Sequence, residues 1–300
     1  MTNLLNPGVY PMLYSFFGSD GELRLDPFSL QVDAALAAGA NGIAVLGLGT
    51  EAAKLDVDEC TAVITTVAKR LNDRAPMIVT IRGETPDDQL KAARRALDLG
   101  ATALLLQPPS EPISEAVLLT FFSEVINALD CPVGIQNAPE FLGYGLSDSN
   151  LITLARNHTN FSIAKLECSA LALEPSAKAL TGKTMVFNGR CGLEMTDNLR
   201  AGAQGLIPGI ETIDRTAAIH AAFVAGEHEY ADELYADVLP ALTFIMQGIP
   251  QFLTYGKTLL AHRLSIEIGS AREPWLQPTE FGLECITRYA TQLGALPIEA

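Results

Sequence analysis

The feature that most constrains this chain is a recurring unit: a helix-like stretch, a turn containing Gly-Ala, and a short aliphatic run. It appears as Ala38-Gly39-Ala40-Asn41-Gly42 before Ile43-Ala44-Val45-Leu46 and as Gly100-Ala101 before Ala103-Leu104-Leu105-Leu106. It returns as Gly202-Ala203-Gln204-Gly205 before Leu206-Ile207-Pro208. Further strand candidates lie at 8–17, 77–81, 132–136, 162–167 and 185–188. The total is eight, at the spacing that parallel βα units require. The runs are continuously apolar rather than alternating, as in a parallel sheet covered on both faces. Eight such units predict a (β/α)₈ barrel over residues 1–225. A doubly wound open sheet is the second option, but no Gly-x-Gly-x-x-Gly opens a helix after the first strand candidate. That candidate, 8–17, ends in Gly18-Ser19-Asp20-Gly21, and Asp26 is placed as the N-cap of a helix starting at Pro27. From residue 226 the pattern turns helical, with segments at 227–246, 251–264 and 278–293 and no strand partners. A C-terminal extension of three helices over 226–300, packed on the barrel, is expected.

Composition narrows the function classes. The chain is 48% hydrophobic and 18% charged, enough apolar residue for a large core. A formal net charge of -15 argues against nucleic acid and anionic membrane surfaces as partners. No apolar run reaches membrane-span length, and the stretch 1–10, with Asn3, Asn6 and Pro7, does not read as a signal peptide. The five cysteines, Cys60, Cys131, Cys168, Cys191 and Cys285, are odd in number and scattered, which fits reduced thiols and a cytoplasmic location.

Within Ser162-Ile163-Ala164-Lys165-Leu166-Glu167 an amine sits inside a buried strand, where a desolvated ammonium is costly unless paired or neutralised. Strand alternation puts Lys165 and Glu167 on one face and Leu166 on the other. The pair reads either as a buried ion pair or as a Schiff-base lysine with an acid/base partner. In a (β/α)₈ barrel the active site lies at the C-terminal strand ends. There, Gly47-Leu48-Gly49-Thr50-Glu51 is either a carboxylate cradle built from backbone N–H groups and one hydroxyl, or a plain turn. Gln136 follows the fifth strand, and Asn188, Arg190 and Glu194 follow the seventh. Asn188 and Arg190 suit polar substrate groups; Arg190 either helps keep Lys165 neutral or pairs with Glu167. Pro208-Gly209-Ile210-Glu211 reads as pocket wall, and Cys168 as a buried inert thiol. His158, His220, His228 and His262 are isolated from one another, so no metal site is expected.

These motifs together resemble the dihydrodipicolinate synthase / N-acetylneuraminate lyase family of class I aldolases over nearly the whole chain. The residues that carry the resemblance are Gly8-Val9-Tyr10-Pro11, the 47–51 turn where the family has Gly-Thr-Thr-Gly-Glu, Asn137-Ala138-Pro139 in the family's Tyr-Asn-x-Pro, Lys165 at the Schiff-base lysine, and Gly189. The resemblance implies a barrel, a 2-oxo acid held as an imine on Lys165, and usually a homotetramer. The departures fall at the chemistry. The family's catalytic tyrosine is Gln136, its second threonine is Gly49, the tyrosine after strand four is Pro109, and the second-carboxylate arginine is Phe141. These changes speak against a dihydrodipicolinate synthase. Ile135-Gln136-Asn137-Ala138-Pro139 and Lys165-Leu166-Glu167 look similar to the 2-keto-3-deoxy-L-arabonate dehydratase branch, in which the glutamate two after the lysine does acid/base work. That branch's acidic residues after strand seven fall on Arg190 and Cys191, with Glu194 nearby.

The reading that ranks first is dehydration of a 2-keto-3-deoxy sugar acid: Lys165 forms the imine, Glu167 removes a C3 proton, and Glu167 or Glu194 protonates the departing hydroxyl. Gly49 and Thr50 hold the carboxylate, while Gln136, Asn188 and Arg190 orient hydroxyls. No metal or organic cofactor is needed, and the expected assembly is a homotetramer or homodimer. The alternatives are a pyruvate-releasing aldolase of the same family and a catalytically silent barrel that binds a 2-oxo acid.

Overall fold

The computed structural model describes residues 5–298; residues 1–4 of the N-terminal stretch and 299–300 of the expected extension lie outside the described residues. Eight strands run parallel in one sheet: β1 (Gly8–Val9), β2 (Ile43–Val45), β3 (Met77–Ile81), β4 (Ala103–Leu106), β5 (Val133–Asn137), β6 (Phe161–Leu166), β7 (Met185–Asn188) and β8 (Gly205–Leu206). From β2 to β8 each strand pairs with the next, and β8 pairs with β1. Met12 closes the circle through parallel bridges to both Ala44 and Gly209. The closure is hydrogen-bonded: Leu13 N donates to Ala44 O (3.0 Å) and Ala44 N to Pro11 O (2.9 Å). Helices connect the strands, so the eight parallel βα units predicted from the recurring motif are present.

The first strand differs from expectation. Residues 8–17 do not form one strand; only Gly8–Val9 and the bridge at Met12 belong to the barrel. Proline has no N–H to donate, so the ladder is interrupted at Pro11. Beyond it, Phe16–Phe17 turns away to pair antiparallel with Leu23–Arg24 in a separate hairpin. Asp26 likewise is the first residue of helix Asp26–Ala37 rather than its cap, which is Leu25.

Alternation along the strands produces two distinct apolar layers. Tyr10, Ala44, Ile78, Leu105, Ile163 and Phe187 point into the barrel and form an inner cluster. Their neighbours Val45, Val79, Leu104, Ala164, Leu166 and Val186 point outward and pack under the helices. On β6 this phase decides everything: Ile163 fills the inner cluster, so Lys165 is the next inward side chain toward the C-terminal end, in register with Gln136 on β5 and Phe187 on β7.

After residue 226 the chain forms helices His228–Ile245 and Lys257–Leu264, the latter preceded by a wider turn at Phe252–Gly256, and then Glu280–Leu293. Buried charge ties these helices to the strand ends. Lys257 Nζ donates to Glu51 Oε1, and Arg263 pairs with Asp214 (2.8 Å) while also donating to the Glu211 carbonyl (2.7 Å).

Candidate active site

Lys165 Nζ lies 2.5 Å from Glu167 Oε1, with both side chains largely buried. They line a cavity of about 170 Å³ at the C-terminal end of the barrel, together with Gly49, Gly189, Arg190 and Cys191. Close packing keeps the pair in place. A Cβ on Gly189 would stand 2.5 Å from Lys165 Cε and 2.7 Å from Glu167 Cγ, so residue 189 has room for hydrogen only. Much of the remaining lining is apolar, including Leu48, Phe141, Ile249 and Phe252.

Of the residues singled out in the sequence, Gly49, Lys165, Glu167 and Arg190 come together on this cavity. The others are placed elsewhere. Gln136 faces inward in register with Lys165, but its Oε1 accepts from Gln107 Nε2 (3.0 Å) and it does not reach the cavity wall. Thr50 is fully buried; its hydroxyl donates to Leu13 O (2.7 Å) and accepts from Leu46 N (3.0 Å), which binds the turn to the closing strand. What this turn could offer a carboxylate is therefore backbone. Among the described residues, the N–H groups of Leu48, Gly49 and Thr50 have no protein acceptor.

Asn188 points outward, because it is one residue out of phase with Phe187. Its amide donates to Cys168 O (3.1 Å) and Asn198 Oδ1 (3.2 Å), and its Oδ1 accepts from Arg190 N (2.9 Å). It shapes the turn that carries Arg190 rather than facing a ligand. Arg190 pairs with Glu194 (2.7 Å), not with Glu167, and its buried Nε has no protein partner among the described residues. Glu194 also accepts from Ala170 N (3.3 Å) and lies outside the cavity lining. Position 194 therefore suits holding Arg190 better than donating a proton to a ligand. Cys168 is half-buried, and burial pushes its thiol up to about 11. No group of three or more His, Cys, Asp or Glu side chains gathers at a potential metal site among the described residues.

Sequence reasoning passed over Glu211. Treated as pocket wall, it is a fully buried carboxyl that accepts from Tyr14 Oη (3.0 Å) and from Cys191 Sγ (3.1 Å). Burial raises its pKa from the ordinary carboxylate value, against the pull of those hydrogen bonds. The Cys191 thiol, which lines the cavity, is pushed well up by burial and then by Glu211, while the Lys165 ammonium pulls it the other way. The only sequence signal was a glutamate two residues past Gly209, at the end of the eighth strand.

Comparison with known proteins bears on this geometry. Residues 6–288 match the sequence model of the Dihydrodipicolinate synthetase family. An L-2-keto-3-deoxyarabonate dehydratase from Azospirillum brasilense is 28% identical over 244 residues, covering 78% of each chain. A 4-hydroxy-tetrahydrodipicolinate synthase from Exiguobacterium sibiricum is 25% identical over 296 residues, covering 96% of this chain and 99% of its own. The crystal structure of a dihydrodipicolinate synthase from Thermotoga maritima superposes with a TM-score of 0.88 at 17% identity, covering 97% of this chain and 99% of that one, which supports the barrel fold. The match over nearly the full length shows that this chain belongs to the dihydrodipicolinate synthetase family, whose members are class I lyases, and that it is a lyase of that family.

Proposed function

We propose that this protein forms a Schiff base with a 2-oxo acid and dehydrates it, with a 2-keto-3-deoxy sugar acid as substrate. The observation that carries the reading is the Lys165–Glu167 pair: an amine and a carboxylate 2.5 Å apart on the cavity wall, with a glutamine at 136 where the family's tyrosine would act. Lys165 attacks the 2-oxo carbon and water leaves to give the iminium, which acidifies the C3 hydrogens. Glu167 takes one of them. The enamine then expels the C4 hydroxyl, which leaves as water with the proton Glu167 holds. The substrate carboxylate rests on the backbone N–H groups of the turn at Gly49 and Thr50. Arg190, on the cavity lining and steadied by Glu194, addresses a hydroxyl. Gln136 and Asn188 act from behind this wall, on neighbouring side chains and the turn. The similarity to the Azospirillum dehydratase supports the choice of reaction.

The same reading takes the protein as a cytoplasmic homotetramer or homodimer, with a barrel over 1–225 and a helical extension over 226–300. The buried Lys257–Glu51 and Arg263–Asp214 pairs support the packing of that extension. Borohydride trapping with pyruvate and with a panel of 2-keto-3-deoxy sugar acids, read by peptide mass spectrometry, tests the chemistry. An adduct on the Lys165 peptide that has lost water from a sugar acid is expected. An adduct with release of free pyruvate would replace dehydration by aldol cleavage, and no adduct at all would overturn the imine.

A further inference from the structure

Resting on that reading, the chemistry asks for more proton acceptors than Glu167 alone. Lys165 must shed a proton before its nitrogen can attack, and Glu167 must be ionised when it takes the C3 hydrogen. If Glu167 absorbs the lysine proton, it is no longer a base for the substrate. The carbinolamine must also receive a proton on its hydroxyl before water departs. Gln136 has no proton to exchange at this step.

A second set of exchangeable groups, on the segments that follow β1, β7 and β8, reaches the cavity through Cys191. Tyr14 Oη donates to Glu211 Oε2 at 3.0 Å, Cys191 Sγ donates to Glu211 Oε1 at 3.1 Å, and Gly209 N–H holds the sulfur at 3.3 Å. Cys191 shares the cavity wall with Lys165. The arrangement is built around the carboxyl: a Cβ on Gly209 would fall 2.1 Å from Glu211 Oε2, and one on Gly256 would fall 2.4 Å from Tyr14 Oη. Among the described residues, no cation pairs with the carboxylate oxygens. Arg263 donates to the backbone carbonyl of Glu211 and gives its guanidinium to Asp214, while Lys257 is committed to Glu51. A fully buried carboxyl held by two neutral donors is a costly way to fill space, since a glutamine of similar shape would meet the tyrosine without the charge.

We propose that Tyr14, Glu211 and Cys191 form a proton relay that serves Lys165 during imine formation. As the ammonium passes a proton through a water in the shared cavity to Cys191 Sγ, the thiol passes its own to Glu211 Oε1, leaving a neutral amine and a protonated glutamic acid. After the nitrogen adds to the 2-oxo carbon, the same path returns that proton to the carbinolamine hydroxyl, which leaves as water. The proton count closes, and Glu167 stays ionised for C3. Tyr14 steadies the carboxylate. Burial raises the pKa of Glu211, Cys191 and Tyr14 alike, which brings the carboxyl towards the working range and keeps the thiol and phenol protonated as conduits.

The test is the rate of Lys165 adduct formation with pyruvate, by rapid quench into borohydride, for the wild type, E211Q, C191S and E167Q between pH 6 and 9. Exchange of the pyruvate methyl hydrogens with deuterium is followed in parallel. The relay predicts that E211Q forms the imine at least tenfold more slowly at pH 6–7 and recovers as hydroxide replaces the lost acceptor. C191S, which can still pass a proton, should lie between E211Q and the wild type. E167Q should form the imine but lose deuterium exchange. A folded E211Q that traps at the wild-type rate overturns the relay, as does one slowed by the same factor at every pH, which marks a purely structural role. If the wild type itself gives no adduct, the imine reading falls first and the relay with it.

Discussion

At the residue scale the site depends on one missing methyl group. Gly189 lies against the Lys165 and Glu167 side chains, so Gly189→Ala must displace the pair rather than merely crowd a loop. Displacements of this size cost about 100-fold in turnover, while the flexible lysine end gives way and leaves the fold intact. Steady-state kinetics beside a thermal melt should show a large loss of kcat with a small change in Tm. Glu167→Gln is expected to retain borohydride-trappable imine and to lose roughly 10²–10⁴ in turnover; near-normal turnover would remove Glu167 from its role. Glu211 offers a stability readout independent of activity. Its folded pKa is raised, so its contribution is fully present below the unfolded value and is lost as pH rises through the folded one. Glu211→Gln abolishes that loss, and its Tm relative to wild type should be higher at pH 8 than at pH 5. A difference of the opposite sign would mean the carboxylate is better stabilised inside than in water.

At the scale of elements, the 47–51 turn is held from beneath. Glu51 is buried between Lys54 (2.5 Å) and Lys257, which brings the C-terminal helices to bear on the turn that carries Gly49. Burial lowers the Lys257 pKa and Glu51 opposes the shift. Glu51→Gln strands a buried ammonium, and breaking a buried pair from one side costs about 3–5 kcal/mol. Urea unfolding should show this as a lower midpoint, with partial recovery in the Glu51→Gln, Lys257→Met double variant. Element identity was largely legible in the sequence, because continuous aliphatic runs after Gly-Ala turns leave few alternatives to buried parallel strands. The run 8–17 was the exception. Its residues are apolar throughout, and apolarity does not say that the segment after Pro11 serves a hairpin of its own instead of the barrel.

At the scale of the whole molecule, a net charge of -15 surrounds a cavity whose lining cations Lys165 and Arg190 are each paired with a carboxylate. Long-range repulsion therefore opposes an anionic substrate, and salt screens it. Raising ionic strength should increase kcat/KM for a 2-oxo acid, by roughly two-fold across the physiological range; a decrease would reveal a local positive field that outweighs the global one. The sequence by itself determined the barrel, the inward phase of Lys165 and Glu167, and the family, because strand period and motif order are local properties of the chain. Only the tertiary structure decided what each polar side chain meets. It turned Asn188 outward and sealed Thr50 into the turn. It gave Arg190 to Glu194 and assembled Tyr14, Cys191 and Glu211 from the segments that follow three strands. The Tyr14–Glu211 contact joins residues 197 positions apart, and it arises only when the circle of strands has closed.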